Sequence, residues 1–472
     1  MVFSSLTFVF AFLPAVIILY FAVKNRTWRN AVLLLSSLIF YSWGEPKHIF
    51  LMIAATAVAY AGGWGIHSAK ESGKRISCKI IYIATLVLLV ANLFVFKYLN
   101  FAENVFASIT GTKAKLGKIA LPIGISFYTF QILSYVIDLY RGEVELQRNP
   151  FSLLLYVSFF PQLIAGPIVR YQTVEEEISS RKENLEDISE GIKRFIVGLA
   201  KKVLLANNIS AAMNIIYDGA IETYGTLLLW VAAVAYTIQI YYDFSGYSDM
   251  AIGIGRIFGF HFLENFNYPY NTHSVTDYWR NWHISLSSWF RDYVYIPLGG
   301  NRVGKWRWIL NIIIVWAMTG LWHGAEWNFP LWGLYYGVIL VLEKLVIGKL
   351  LKKLPKFLSW FYMFFVITVG FVLFNMTEPS RYAEVMRAMF VPVTTNWPAV
   401  MAENINIVKA AIWMPLGMIF IFPVKAKLGN LLHEKCGQAE NAVECVICVL
   451  LFLVCVIYML STTYNPFIYF RF

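Results

Sequence analysis

Charge is what this sequence has least of. Only 14% of its 472 residues are Asp, Glu, Lys or Arg, where soluble domains carry roughly 25%. With a hydrophobic share of 58%, that scarcity excludes an ordinary soluble globular protein. Cysteine is sparse too, at five residues: Cys78, Cys436, Cys445, Cys448 and Cys455. Cys445 and Cys448 form a CxxC, but it lies within the apolar "VECVICVLLFLVC" and has no second pair, which a zinc or redox site would need. These cysteines read as small apolar core residues. No Ser/Gly-rich linker, low-complexity tract or internal repeat divides the chain, so it reads as a single membrane domain over 1–472.

What is abundant is apolar sequence in long runs. A helix crossing a ~30 Å hydrocarbon core needs about 20 such residues. Runs of this kind fall near 3–22, 31–43, 49–66, 80–101, 119–140, 151–168, 222–242, 244–263, 306–323, 327–347, 357–375, 404–423 and 443–463. Several are short or interrupted, which predicts about 10–13 transmembrane or re-entrant helices. The fold class is all-α and polytopic, because backbone groups in lipid must pair within their own segment. The first run is flanked by Lys24, Arg26 and Arg29 and lacks a small-residue cleavage site. It is expected to be a retained span.

The net charge of +11 does not signal nucleic-acid binding. Its positive residues sit in short blocks between spans: Lys24/Arg26/Arg29, Lys70/Lys74/Arg75/Lys79, Arg302/Lys305/Arg307 and Lys349/Lys352/Lys353/Lys356. Such blocks mark cytoplasmic loops and are also compatible with anionic lipid headgroups or an anionic co-substrate. Lys113, Lys115 and Lys118 break simple alternation, so a neighbouring segment is expected to be re-entrant.

Two segments interrupt the apolar rhythm. Residues 170–190 are acidic and read as an aqueous loop or surface helix. The other, "SVTDYWRNWHISLSSWFRDYVYIPLGG" at 274–300, is more informative. Taken as one helix at 100° per residue, it puts Trp279, Trp282, Leu286, Trp289 and Tyr293 on one seam. Arg280, His283, Ser287 and Arg291 fall on an adjacent stripe, and Asp277, Asn281, Ser285, Ser288 and Asp292 form a polar sector. A helix so charged cannot face acyl chains; it lies at the interface or inside the protein. Asp292 beside Arg291 reads as a structural ion pair.

A single histidine closes the run "WILNIIIVWAMTGLWHG". At 1.5 Å per residue His323 lies roughly 20–25 Å from the basic flank, deep in the bilayer. Trp316, Thr319, Gly320 and His323 share a face. Gly320 and Gly324 leave a bare patch beside the imidazole for a neighbouring helix or a ligand. The plain reading is a buried histidine bonded to a carbonyl or serine; against it, ionisable groups within membranes are functional by default. Glu326 could pair with the imidazole. "HGAEW" lacks the two-histidine spacing of a zinc helix, so no metal site is expected.

These residues resemble the membrane-bound O-acyltransferase family. The resemblance rests on "TDYWRNWHISLSSWFRDYVYIPLGGNR" and "TGLWHGAEWNFPLWGLYYG", on 121–143, 158–171 and 241–259, and on the terminal "NPFIYFRF". Within the family it is most similar to the bacterial branch of alginate O-acetyltransferases and related polysaccharide acetylases. The teichoic-acid D-alanyl transfer protein is a nearer cousin than the eukaryotic members. Two departures stand out. The acetylases more often read Phe-Trp-Arg-Arg-Trp-His where this chain has Tyr278 to His283, and Tyr-Phe-Gln-Phe where it has Tyr469-Phe470-Arg471-Phe472.

The resemblance implies a core over roughly 119–345, with C-terminal helices and tail over 357–472, and helices ringed around a central tunnel. It implies acyl transfer, with His323 matching the active-site histidine and His283 the second. Asn281, Ser287, Arg291, Thr319, Trp322 and Glu326 are candidates for the tunnel and its surroundings, and Tyr469 for an acyl relay; the plain reading of the tail is an interfacial aromatic anchor. No bound cofactor is expected. Acetyl-CoA or an acyl-carrier thioester is the co-substrate, approaching from the cytoplasm. A cell-surface or exported polysaccharide is the acceptor, with an extracytoplasmic hydrolase-like O-acetyltransferase as partner and the bacterial cytoplasmic membrane as location. Elementary chemistry agrees. Thioester-to-hydroxyl transfer needs a base, the role expected of His323, and a donor for the oxyanion. His283 is expected to orient donor or acceptor or to hold that oxyanion, and Trp and Gly walls exclude water that would hydrolyse the donor. D-alanyl transfer to teichoic acid is the alternative. A lipid or sugar transporter would need repeated halves, and none is found. A bis-histidine haem would need two facing spans, and the segment bearing His283 is too polar to be one.

Overall fold

The computed structural model describes residues 1–403, 405–424, 440–461 and 467. It is 77% helical with no strand among the described residues, an all-α polytopic membrane protein. By length and composition six helices among the described residues could cross a membrane: Ile49–Glu71, Arg75–Thr110, Leu185–Asp218, Ile221–Ile257, Lys356–Asn375 and Glu440–Ser461. Other predicted runs form shorter helices, such as Leu13–Ala22, Ile125–Arg141 and Asn328–Leu342. Cys445 and Cys448 lie on the predicted helix Glu440–Ser461, but Cys445 faces outward and is not core. Cys436 lies outside the described residues.

Two features differ from the pattern-based reading. The runs 222–242 and 244–263 fuse into one helix, Ile221–Ile257, whose only non-helical residue is Gly225. A long helix, Leu185–Asp218, occupies sequence in which no span was expected. One physical cause explains both. Asp243, which separates the two runs, is buried against Lys202 of the missed helix, and Lys201 meets Asp249 at 2.6 Å. Paired charges can lie within a helix in an apolar interior, where an unpaired charge is costly.

The residues form two compact units, Met1–Phe195 with Met250–Leu263, and Ile196–Asp249 with Glu264–Phe472. In the first, Ile125–Arg141 is buried along nearly its whole length, and Phe8, Phe40 and Phe160 pack ring against ring at 5.6–6.3 Å. One charge cluster of this unit centres on Glu183. That carboxylate accepts from Arg26 at 2.7 Å, from Arg29 at 2.6 Å and from the Tyr20 hydroxyl. Burial alone would raise its pKa, but the Arg26 and Tyr20 hydrogen bonds and the Arg26 charge bring it down to about 2.

In the second unit, helices Lys305–His323 and Asn328–Leu342 touch backbone to backbone. A Cβ on Gly333 would lie 2.2 Å from the Trp316 carbonyl oxygen, and one on Gly320 would lie 2.2 Å from that of Phe329. The bare patch of Gly320 and Gly324 is therefore filled by a neighbouring helix and not by a ligand; Phe329 closes on both glycines. This interlock fixes the end of the helix that carries His323.

Two outcomes follow. Gly333→Ala must push the helices apart, costing about 1–3 kcal/mol as an overpacked site does, read as a lowered unfolding temperature in detergent. Glu183→Gln strips the counter-charge from Arg29 and from the fully buried Arg181 side chain, a loss of about 3 kcal/mol. The folded pKa is depressed, so the carboxylate's stabilisation is complete above its ordinary 4.5 and is lost as pH falls through about 2. The gap between variant and wild type should thus be constant near neutrality and narrow in acid. A gap independent of pH down to 2 would contradict this.

Candidate active site

The polar segment at 274–300 is not one helix. Val275–Asn281 is capped by Ser274, whose side chain accepts from the Asp277 amide at 3.0 Å. The chain turns extended at Trp282 and left-handed at His283 (φ 47°, ψ 54°), then begins a new helix, Ile284–Phe290. A left-handed non-glycine residue costs on the order of 1–3 kcal/mol. Here the neighbouring strand of chain holds it: the Ile284 amide donates to the Asn265 carbonyl at 2.9 Å and the Asn267 amide to that of Asn281 at 3.0 Å. The single-helix wheel is corrected accordingly, although Trp279, Trp282, Leu286 and Trp289 of its seam are all buried. Tyr293 is half-buried, and Arg291 pairs with Asp292 through two hydrogen bonds of 2.6 and 3.0 Å.

The start of this segment is pinned by Glu343. Its buried carboxylate accepts from the amides of Val275 and Thr276 at 2.7 and 2.8 Å and from the Thr276 hydroxyl at 2.6 Å. Trp279, one turn on, packs edge-on to Trp316, Trp332 and Tyr336 at 4.8–5.4 Å. The segment is thus fixed at its capped end and along its aromatic face, which leaves His283 a defined position.

His283 is 2% exposed. Its Nδ1 lies 3.1 Å from the Asn265 Oδ1, and Phe244 meets the ring edge-on at 4.6 Å. Burial pushes its pKa down to about 3, so the ring is neutral at physiological pH. His323 ends its helix, 5% exposed, among Trp332, Phe374 and Trp322 at 4.9–5.2 Å. Trp322 is also edge-on to His283 at 5.6 Å.

Both histidines line one cavity of about 210 Å³. Thr319 and Ser287 share its wall, and Arg280 and Lys344 bring positive charge to it. Arg280 pairs with Asp277 at 2.9 Å and is largely exposed; the Lys344 ammonium sits 5.4 Å over the Trp308 ring. Two buried imidazoles on an aromatic-walled cavity suit proton transfer, and the cations suit an anionic substrate.

The structure gathers His283, His323, Ser287 and Thr319 at this cavity. Trp322 supports both rings from behind. Asn281 instead bonds back to the Asp277 carbonyl at 2.9 Å, and Arg291 and Glu326 are exposed and outside the cavity wall. Tyr469 lies outside the described residues. Two residues before it, Phe467 is 3% exposed and packs on Tyr247 at 4.9 Å and on Phe244 at 6.0 Å, the ring that covers His283. Sequence reasoning missed Asn265, Glu343 and Lys344. Asn265 had no local signal; Lys344 reads as one more residue of a positive loop. Among the described residues no three His, Cys, Asp or Glu side chains cluster as a metal site would need.

Comparison with known proteins bears on the chemistry. A family model for the membrane-bound O-acyltransferases matches residues 147–382. A probable alginate O-acetylase of Azotobacter vinelandii is 39% identical over 397 residues, covering 83% of this chain and 78% of the relative. A peptidoglycan O-acetyltransferase of Helicobacter pylori is 33% identical, covering 82% and 80%. A teichoic acid D-alanyltransferase of Bacillus subtilis is 30% identical over 54% of this chain and 67% of the relative. Both histidines, their cavity and the segments that hold them fall inside the matched region, and the chain belongs to the membrane-bound O-acyltransferase family.

Proposed function

We propose that this O-acyltransferase moves an acetyl group from a cytoplasmic thioester to hydroxyls of an exported or cell-surface polysaccharide. The observation that carries the reading is the single cavity shared by His283 and His323 and flanked by Arg280 and Lys344. Acetyl is favoured over D-alanyl because similarity to O-acetylases runs over 83% of the chain, against 54% for the D-alanyltransferase. Both donor classes, acetyl-CoA and an acyl-carrier thioester, present an anionic head that the two cations would attract.

In this mechanism the acceptor oxygen attacks the thioester carbonyl carbon while His323 takes the hydroxyl proton. The tetrahedral intermediate collapses, the C–S bond breaks, and the departing thiolate receives the proton from His323. His283 aligns the substrate beside it. The aromatic walls keep water from competing as acceptor. Tyr469 is the proposed relay, supported by the burial of Phe467, two residues before it, against Phe244, the ring that covers His283. Delivery to the polymer would fall to an extracytoplasmic hydrolase-like partner, with this protein in the bacterial cytoplasmic membrane.

Purified protein in liposomes with labelled acetyl-CoA tests the reading. His323→Ala should release CoA about 10²–10⁴-fold more slowly than wild type, the range that general-base assistance supplies. Equal rates would remove His323 from the chemistry. Mass spectrometry of the terminal peptide during turnover should find acetylated Tyr469. A permanently unmodified phenol beside normal turnover would sink the relay.

A further inference from the structure

We infer that Asn265 is the positioning residue that fixes the tautomer of His283, holding the proton on Nδ1 and presenting Nε2 to the cavity as a hydrogen-bond acceptor. The inference rests on the acyl-transfer reading only for the use made of that nitrogen.

Three contacts converge on the Asn265 side-chain oxygen. The Ser285 amide reaches it at 3.2 Å, the Ser285 hydroxyl at 2.9 Å and His283 Nδ1 at 3.1 Å. A backbone amide can only donate, so the atom it meets is the amide oxygen and not the nitrogen. The nitrogen of the same side chain points the other way and donates to the Ser248 hydroxyl at 3.1 Å. The Ser285 hydroxyl also lies 3.4 Å from Nδ1, but its hydrogen goes to the nearer Asn265 oxygen at 2.9 Å, and an oxygen oriented to accept leaves Nδ1 one favourable form, N–H. A bare Nδ1 would set two lone pairs against each other at 3.1 Å.

The neutral ring carries one proton, so Nε2 has none. This atom is buried and has no hydrogen-bond partner among the described residues, and the side chain to which it belongs lines the cavity. A buried acceptor without a partner is costly, and the substrate is the group that can satisfy it. The consequence is specific. His283 cannot donate to an oxyanion; it accepts a hydrogen from the substrate and so aligns it beside His323. The backbone contributes to the same end, since the Asn265 carbonyl receives the Ile284 amide and supports the left-handed turn at His283. One residue therefore sets both the place and the protonation of the ring. The titratable or charged groups on the cavity wall are Arg280, His323 and Lys344; those packed directly on the ring, Phe244 and Trp322, are uncharged.

Nitrogen NMR of ¹⁵N-histidine-labelled wild-type protein, with the His283 signals assigned by their loss in His283→Ala, reads the tautomer directly. The expected pattern is a protonated Nδ1 and a bare Nε2; the reverse overturns the proposal. Kinetics supply the second reading. Asn265→Ala should lower kcat about 10- to 100-fold, the usual cost of removing the outer partner of a working histidine, with little change in the donor KM. Asn265→Asp keeps the acceptor and should restore kcat to within about tenfold of wild type. A carboxylate beside the ring favours imidazolium, so the acid limb of its pH profile should move to higher pH. An Asn265→Ala protein with wild-type kcat, or an Asp variant as impaired as Ala, would overturn the positioning role. The nitrogen spectrum decides the tautomer even where acetyl transfer is absent, so failure of the functional reading remains distinguishable from failure of this one.

Discussion

A polar side chain taken into an apolar interior must find its partner there, because neither lipid nor packed rings can replace water. The working parts of this protein are arranged around that constraint. Glu183 gathers three arginines and a tyrosine; Lys202 and Asp243 meet inside the second unit; Glu343 accepts three hydrogen bonds at the start of a short helix. Around Asn265 the same rule fixes a ring nitrogen. Each contact is a satisfied polar group, and each also sets a geometry that hydrophobic packing alone would leave loose.

His283 and His323 are held by different means, which follow from their backbones. His323 takes its place from helix packing: two glycines let its helix close on the next, and the imidazole stands at the end among rings. His283 takes its place from hydrogen bonds, because it sits in a break between helices where no regular ladder exists. A packed site resists volume changes, and a hydrogen-bonded site resists loss of a donor or acceptor. The family relationship places acyl transfer on this chain, and the two modes of support show how it can hold two imidazoles at one cavity.

How much of this was legible in sequence depended on the distance to the partner. The membrane class, the Arg291–Asp292 pair and the prominence of His283 and His323 all rest on composition or on neighbours within a few residues. The patch at Gly320 and Gly324 was legible as a close approach, but its occupant was not, since nothing local distinguishes a helix from a ligand. The helix Leu185–Asp218 escaped because Lys201 and Lys202 look like the end of a span until Asp249 and Asp243 are set beside them. The wheel drawn through 274–300 failed at His283 for a similar reason. The hydrogen bonds that break the helix come from 265–267, and a periodicity calculation does not see them.

The same ion pairs bear on how the chain enters the bilayer during synthesis. Each lysine or aspartate at the middle of a lone inserted helix costs roughly 2.5–3.5 kcal/mol. The stretch carrying Lys201 and Lys202 is synthesised about forty residues before Asp243 and Asp249. Alone it would carry two ammonium groups into lipid, so its favourable route is to wait at the translocon and leave together with the following helix as a neutralised hairpin. A sequence that lost one of these charges would be expected to lose its partner as well.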